Sequence, residues 1–71
     1  MKPESVTVCA NGKQEQVDLP CSVADFVGSR GWRANQVVVE YNGRVLGRGE
    51  LTQTMLKSGD SLEVIVPVAG G

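Results

Sequence analysis

Two Asn-Gly dipeptides, Asn11-Gly12 and Asn42-Gly43, constrain this chain more than any other feature. Asn-Gly is the pair best suited to a two-residue type I′ turn, in which both central residues take positive φ. Each dipeptide sits between runs that read as strands. Before the first, Val6, Val8 and Ala10 alternate onto one face of a strand over Ser5–Ala10. After it, Lys13 to Leu19 returns, polar until Val17 and Leu19 point inward. Charge on such a strand suits a sheet edge, and Pro20 stops it because proline cannot donate to a ladder. Around the second dipeptide, Val37-Val38-Val39-Glu40-Tyr41 is β-branched and predicts a strand with Val37, Val39 and Tyr41 facing the core. Arg44-Val45-Leu46 is its short return. Two hairpins are therefore expected.

Between them lies one helix. Ser22 stands as N-cap with Asp25 three residues on, a variant of the capping box. Asp25 also complements the positive end of the helix dipole. Val23, Phe26 and Val27 share the face that docks on the sheet. Gly28 weakens the interior, so the helix is short. Gly31 fits the left-handed position past its end, and Trp32 closes back on the last turn. A polar loop follows. After the second hairpin, Gly47-Arg48-Gly49 breaks regularity, and Glu50 to Lys57 reads as a short helical turn laid over the core through Leu51, Met55 and Leu56. Ser58-Gly59-Asp60 is a turn. The last strand is Ser61–Val66, with Leu62, Val64 and Val66 inward and Glu63 outward.

Seventy-one residues make one small domain, too small to enclose a substrate pocket as well as a core. One helix covers one face of one sheet. The two hairpins share a core only if their strands join, and the last strand, nearly all apolar, suits a central place beside and parallel to the first. The expected class is α+β, the β-grasp arrangement of ubiquitin, with a mixed sheet of four to five strands and one main helix on one face. Residues 1–66 form the domain and 67–71 a flexible tail ending in Gly70-Gly71.

The composition argues against several functions. The net charge is −1 with scattered basic residues, so no electrostatic footprint for nucleic acid is present. There is no histidine, the commonest general base and metal ligand. No metal site is expected. Cys9 and Cys21 are too far apart for a CxxC motif and make a poor zinc site; they read as ordinary small residues. The polar start lacks the apolar core of a signal peptide, and no apolar run approaches the ~20 residues of a membrane span. A soluble, cytoplasmic, monomeric protein is expected.

That leaves Val68-Ala69-Gly70-Gly71. A terminal Gly-Gly presents a carboxylate on a thin tether, since glycine enters channels and conformations closed to other residues. Four extended residues reach roughly 13 Å. Taken alone, the same pair reads more readily as a frayed end. Ile65 and Pro67 fall on the face opposite Leu62 and Val64, close to the tail. They are candidate partner contacts, together with Leu46, whose facing the pattern leaves open.

Three stretches resemble the ThiS sulfur carriers of thiamin biosynthesis: Val39-Glu40-Tyr41-Asn42-Gly43-Arg44-Val45, Leu56-Lys57-Ser58-Gly59-Asp60-Ser61-Leu62-Glu63-Val64-Ile65, and the terminal Val68-Ala69-Gly70-Gly71. Length and element order agree throughout, and the specific matches lie in the second half. Gly47-Arg48-Gly49 is more glycine-rich than the family's link. The resemblance implies a protein that is a co-substrate and no enzyme, with no catalytic groups or bound cofactor of its own. A ThiF-type adenylyltransferase using ATP and magnesium would adenylate the Gly71 carboxylate. Sulfur from a cysteine desulfurase or another donor would then convert it to a thiocarboxylate, which thiazole synthase would consume. Val68, Ala69 and Gly70 would enter the partner active sites. The ending also resembles the small subunit of molybdopterin synthase. A carrier for that or another pathway, a ubiquitin-like modifier conjugated through Gly71, and an inert β-grasp module remain open at this point.

Overall fold

The computed structural model describes residues 4–67. Five strands form one mixed sheet: β1 (Ser5–Ala10), β2 (Lys13–Asp18), β3 (Val38–Tyr41), β4 (Arg44–Val45) and β5 (Ser61–Ile65). Their order is β2-β1-β5-β3-β4. β5 lies in the centre, parallel to β1 and antiparallel to β3. That is the joining expected from the apolar character of the last strand. Both Asn-Gly pairs turn as expected, with φ of 53° and 80° at Asn11-Gly12 and 49° and 87° at Asn42-Gly43.

The helix α1 (Val23–Ser29) covers one face of the sheet. Its capping box is complete. The Asp25 N–H donates to Ser22 Oγ at 2.9 Å, and the Ser22 N–H donates to Asp25 Oδ2 at 3.3 Å. Its end is a Schellman motif: the Trp32 N–H donates to the Val27 carbonyl and the Gly31 N–H to that of Gly28, with Gly31 at φ 90°. Trp32 packs half-buried against the core. Arg30, just past the helix, lies over the Phe26 ring at 4.6 Å and pairs with Glu15 of β2 at 2.8 Å, tying helix to sheet edge. Val8, Val17, Val23, Phe26, Val27, Val39, Leu62 and Val64 form the buried interior, joined from the loops by Leu46, Leu51 and Leu56.

Five expectations are corrected or refined. The polar loop before β3 contains a 3₁₀ turn at Ala34–Gln36. The second irregular segment curls earlier than expected, into a 3₁₀ turn at Arg48–Glu50. There Glu50 Oε1 accepts from the Gly47 N–H at 2.8 Å, and its other oxygen accepts from Arg44 at 3.0 Å. Leu51 and Leu56 are buried as expected, but Met55 is half exposed. Val66 does not point inward. The residue is 53% exposed, because β3 begins at Val38, opposite Ile65, and among the described residues nothing extends the ladder past that pair. Leu46 is buried, its N–H donating to the Val39 carbonyl at 2.9 Å. It belongs to the core face and cannot join Ile65 as a surface contact.

Candidate functional site

The site is the end of β5 and the surface around it. Alternation puts Leu62 and Val64 into the core, while Ser61, Glu63 and Ile65 face away from α1. Ile65 and Pro67 are exposed as expected. Beside them, Val38, Val66, Pro67 and Arg48 line a shallow depression of about 590 Å³. Val68, Ala69, Gly70 and Gly71 lie outside the described residues.

Two side chains that were expected only to make turns hold β5 in place. The β1–β5 ladder is short: Cys9 pairs with Ser61 and Ala10 with Leu62. The chain then turns at Asn11. Val64 still has its N–H and C=O aimed toward the β1 side, and no β1 residue remains to meet them. The Asn11 carboxamide does so instead. Its Oδ1 accepts from the Val64 N–H at 2.7 Å and its Nδ2 donates to the Val64 carbonyl at 3.2 Å. A side chain thus supplies the next rung of the ladder. It satisfies backbone groups on a residue buried to 6% exposure, where leaving them unpaired would be costly. This amide on one side and the β3 ladder on the other hold β5 just before its exit.

The start of β5 is held by Asn42. Its Oδ1 accepts from the Ser61 N–H at 2.8 Å, and its Nδ2 donates to Asp60 Oδ1 at 3.1 Å. Asp60 is buried, 2% exposed, and its carboxylate gathers four donors. These are Asn42, the Tyr41 hydroxyl at 2.8 Å, the Lys57 backbone N–H at 2.8 Å and Lys57 Nζ at 3.1 Å. Burial alone would push this carboxyl up, but the hydrogen bonds outweigh it and hold the group below the usual carboxylate range. Lys57, bonded to the Tyr41 hydroxyl and Asp60, is held above its ordinary value. Asp60 read in the sequence as a turn residue. A signal was present in an aspartate directly preceding a strongly apolar strand, but its partners come from distant stretches.

Cys9 and Cys21 are free thiols, each half-buried. Burial, with Asp25 nearby, pushes the Cys21 thiol up, away from the reactive thiolate. Among the described residues no three histidine, cysteine, aspartate or glutamate side chains gather as a metal-binding group. No helix among them is long and apolar enough to cross a membrane.

A small sheet clasping one helix, with a central strand running out toward a glycine-rich end, defines a β-grasp protein. The chain matches the ThiS family model over residues 6–71 and belongs to that family. It is similar to the crystal structure of the thiamine biosynthesis protein ThiS from Geobacter metallireducens, with 32% identity and a TM-score of 0.77. That match covers 93% of this chain and all of the other. The solution NMR structure of a thiamine biosynthesis protein from the same organism gives 32% identity and a TM-score of 0.76, covering 93% and 88% of the two chains. The curated proteins contain no match.

Proposed function

We propose that this protein is a sulfur carrier of thiamine biosynthesis whose working group is the Gly71 carboxylate. The observation that carries the reading is the family match, which runs through Gly70 and Gly71 to residue 71. In this reading residues 1–66 are the body and 67–71 the tail, and the protein works in the cytoplasm. A carboxylate is a poor electrophile. A ThiF-type adenylyltransferase, using ATP and magnesium of its own site, converts Gly71 to an acyl-adenylate. Persulfide sulfur from a cysteine desulfurase or another donor attacks the acyl carbon and displaces AMP, and a thiol reductant then cleaves the resulting acyl disulfide to leave a thiocarboxylate. Thiazole synthase consumes it. The catalytic groups belong to the partners, and this chain is their co-substrate. Its contribution is positional: a central strand pinned at both ends aims the tail, and Val68, Ala69 and the two glycines let enzymes close around the acyl carbon. Ile65 and Pro67, exposed where β5 ends, are the contacts nearest that tail.

The test is intact mass after incubation with ATP, magnesium, a sulfur source and the cognate adenylyltransferase. Full-length protein gains the mass difference of sulfur for oxygen and loses it on meeting thiazole synthase. Deleting Gly71 shortens the reach by roughly 3.3 Å and abolishes loading, since misplacement by even ~1 Å can cost ~100-fold in rate. A loaded truncation, or a full-length protein that never loads, ends the reading. Conjugates joined to lysine would instead mark a modifier.

A further inference from the structure

The open face of the sheet carries an arrangement that the fold itself does not require. Glu40 of β3 and Glu63 of β5 stand directly opposite each other, both on the side away from α1. Like charges in opposed cross-strand positions destabilise a sheet. Among the described residues neither takes part in an ion pair; the three ion pairs there use Glu15, Glu50 and Asp60. The two carboxylates sit among apolar side chains. Val38 and Ile65 form the next pair toward the tail, and Val45 lies opposite Glu40 on the other flank. Val38, Val45 and Ile65 are 38%, 58% and 48% exposed. Arg48 lines the depression with Val38 and Val66 at the tail end.

We propose that this face docks a partner protein surface that sets arginine or lysine between apolar side chains, with Glu40 and Glu63 as the carboxylates that select it. The occupant is the enzyme that activates the tail, an inference that rests on the carrier reading above. Ile65 is six residues from Gly71 in the sequence, so an enzyme acting on that carboxylate works within roughly 20 Å of this patch. A second copy of the chain is a poor occupant, because a two-fold contact through this face would bring four carboxylates together. Arginine suits the position, since its planar fork meets carboxylates with paired hydrogen bonds. The repulsion tolerated in the free protein then becomes recognition in the complex, at some cost to the stability of the carrier.

The test is the double variant Glu40→Gln, Glu63→Gln, which keeps shape and removes both charges. Its melting temperature is expected to equal or exceed that of the wild type. Its affinity for the cognate ThiF-type adenylyltransferase is expected to fall about tenfold or more, with a flatter dependence on salt. Equal affinity and equal salt dependence would overturn the proposal. So would a lower melting temperature, which would assign the pair to the fold, or self-association of the wild type through this face. Sulfur loading of the wild type, read by mass in the same preparations, separates the two failures. If it loads while the variant binds unchanged, only the docking proposal falls; if it never loads, the carrier reading has failed.

Discussion

The two Asn-Gly turns have the same dipeptide and nearly the same backbone, yet their asparagines hold β5 in different ways. Asn11 meets only main chain: its amide accepts from and donates to one residue, Val64. Asn42 stands between main chain and a buried charge, accepting from the Ser61 N–H while donating to Asp60. The first device extends a ladder that has run out of strand. The second belongs to a network in which Tyr41, Asn42 and Lys57 neutralise a carboxylate by hydrogen bonding. A turn signature therefore predicts the bend and says nothing of what the asparagine side chain does after the bend is made.

The contrast is broken most severely by Asn42→Asp. The substitution keeps a residue type that tolerates positive φ but places a second carboxylate where a donor lies 3.1 Å from Asp60 Oδ1. Two carboxylates this close cannot both ionise at low cost. A loss on the order of 3 kcal/mol is expected at neutral pH. One of the pair then has a raised pKa in the folded state. The folded protein holds a proton that the unfolded chain releases, so stability should fall as pH rises and recover on mild acidification. Thermal melts across pH 4 to 7 check this; a variant with a flat profile would show that the network rearranges around the new charge.

Asp60→Asn comes next. It keeps the side-chain shape, removes the charge and leaves the donors from Lys57, Tyr41 and Asn42 competing for one oxygen. A cost of about 2 kcal/mol is expected. The sign of its pH dependence is opposite to the previous case. In the wild type the Asp60 carboxyl is held low. Its contribution is therefore complete above the ordinary aspartate value, about 3.9, and is lost as pH falls through the lower folded value. The variant should lose this part of the acid sensitivity, visible as a narrower gap between wild-type and variant melting temperatures below pH 4.

Much of this fold was legible because its signals are local. Ser22 and Asp25 are three residues apart, and Gly31 and Trp32 adjoin the helix they terminate, so capping could be read residue by residue. The central place of β5 followed from its near-continuous apolar content and from the need to join two hairpins. What was hidden depends on chain closure. Asn11 and Val64 are 53 positions apart, and Asn42 and Asp60 are 18. No local pattern marks such a pair; each appears only once β5 is seated between β1 and β3. Leu46 and Val66 were undetermined or misread for a related reason. Alternation assigns faces only while a ladder persists, and both residues lie where the pairing has just ended.

The smallest effect isolates the Asn11 device. Asn11→Gly keeps the turn, since glycine takes positive φ without strain, and removes only the amide. The folded protein then offers the Val64 N–H and C=O no side-chain partner, and water must replace it at a residue 6% exposed. A cost of about 1–2 kcal/mol is expected, the range for leaving a buried group without its partner. Asn42→Gly would act on Ser61 and Asp60 at the other end of the strand, so the two variants should lower stability in different places. Amide hydrogen exchange reads the difference. Asn11→Gly should speed exchange at Val64 beyond the global loss of stability and leave Ser61 near that baseline, while Asn42→Gly should do the reverse. If β5 only needed to be folded, loading at Gly71 would follow overall stability in both variants. If its final direction matters, Asn11→Gly should load more slowly than Asn42→Gly at matched fractions folded. Equal loading rates under those conditions would mean that Asn11 stabilises the sheet without aiming the tail.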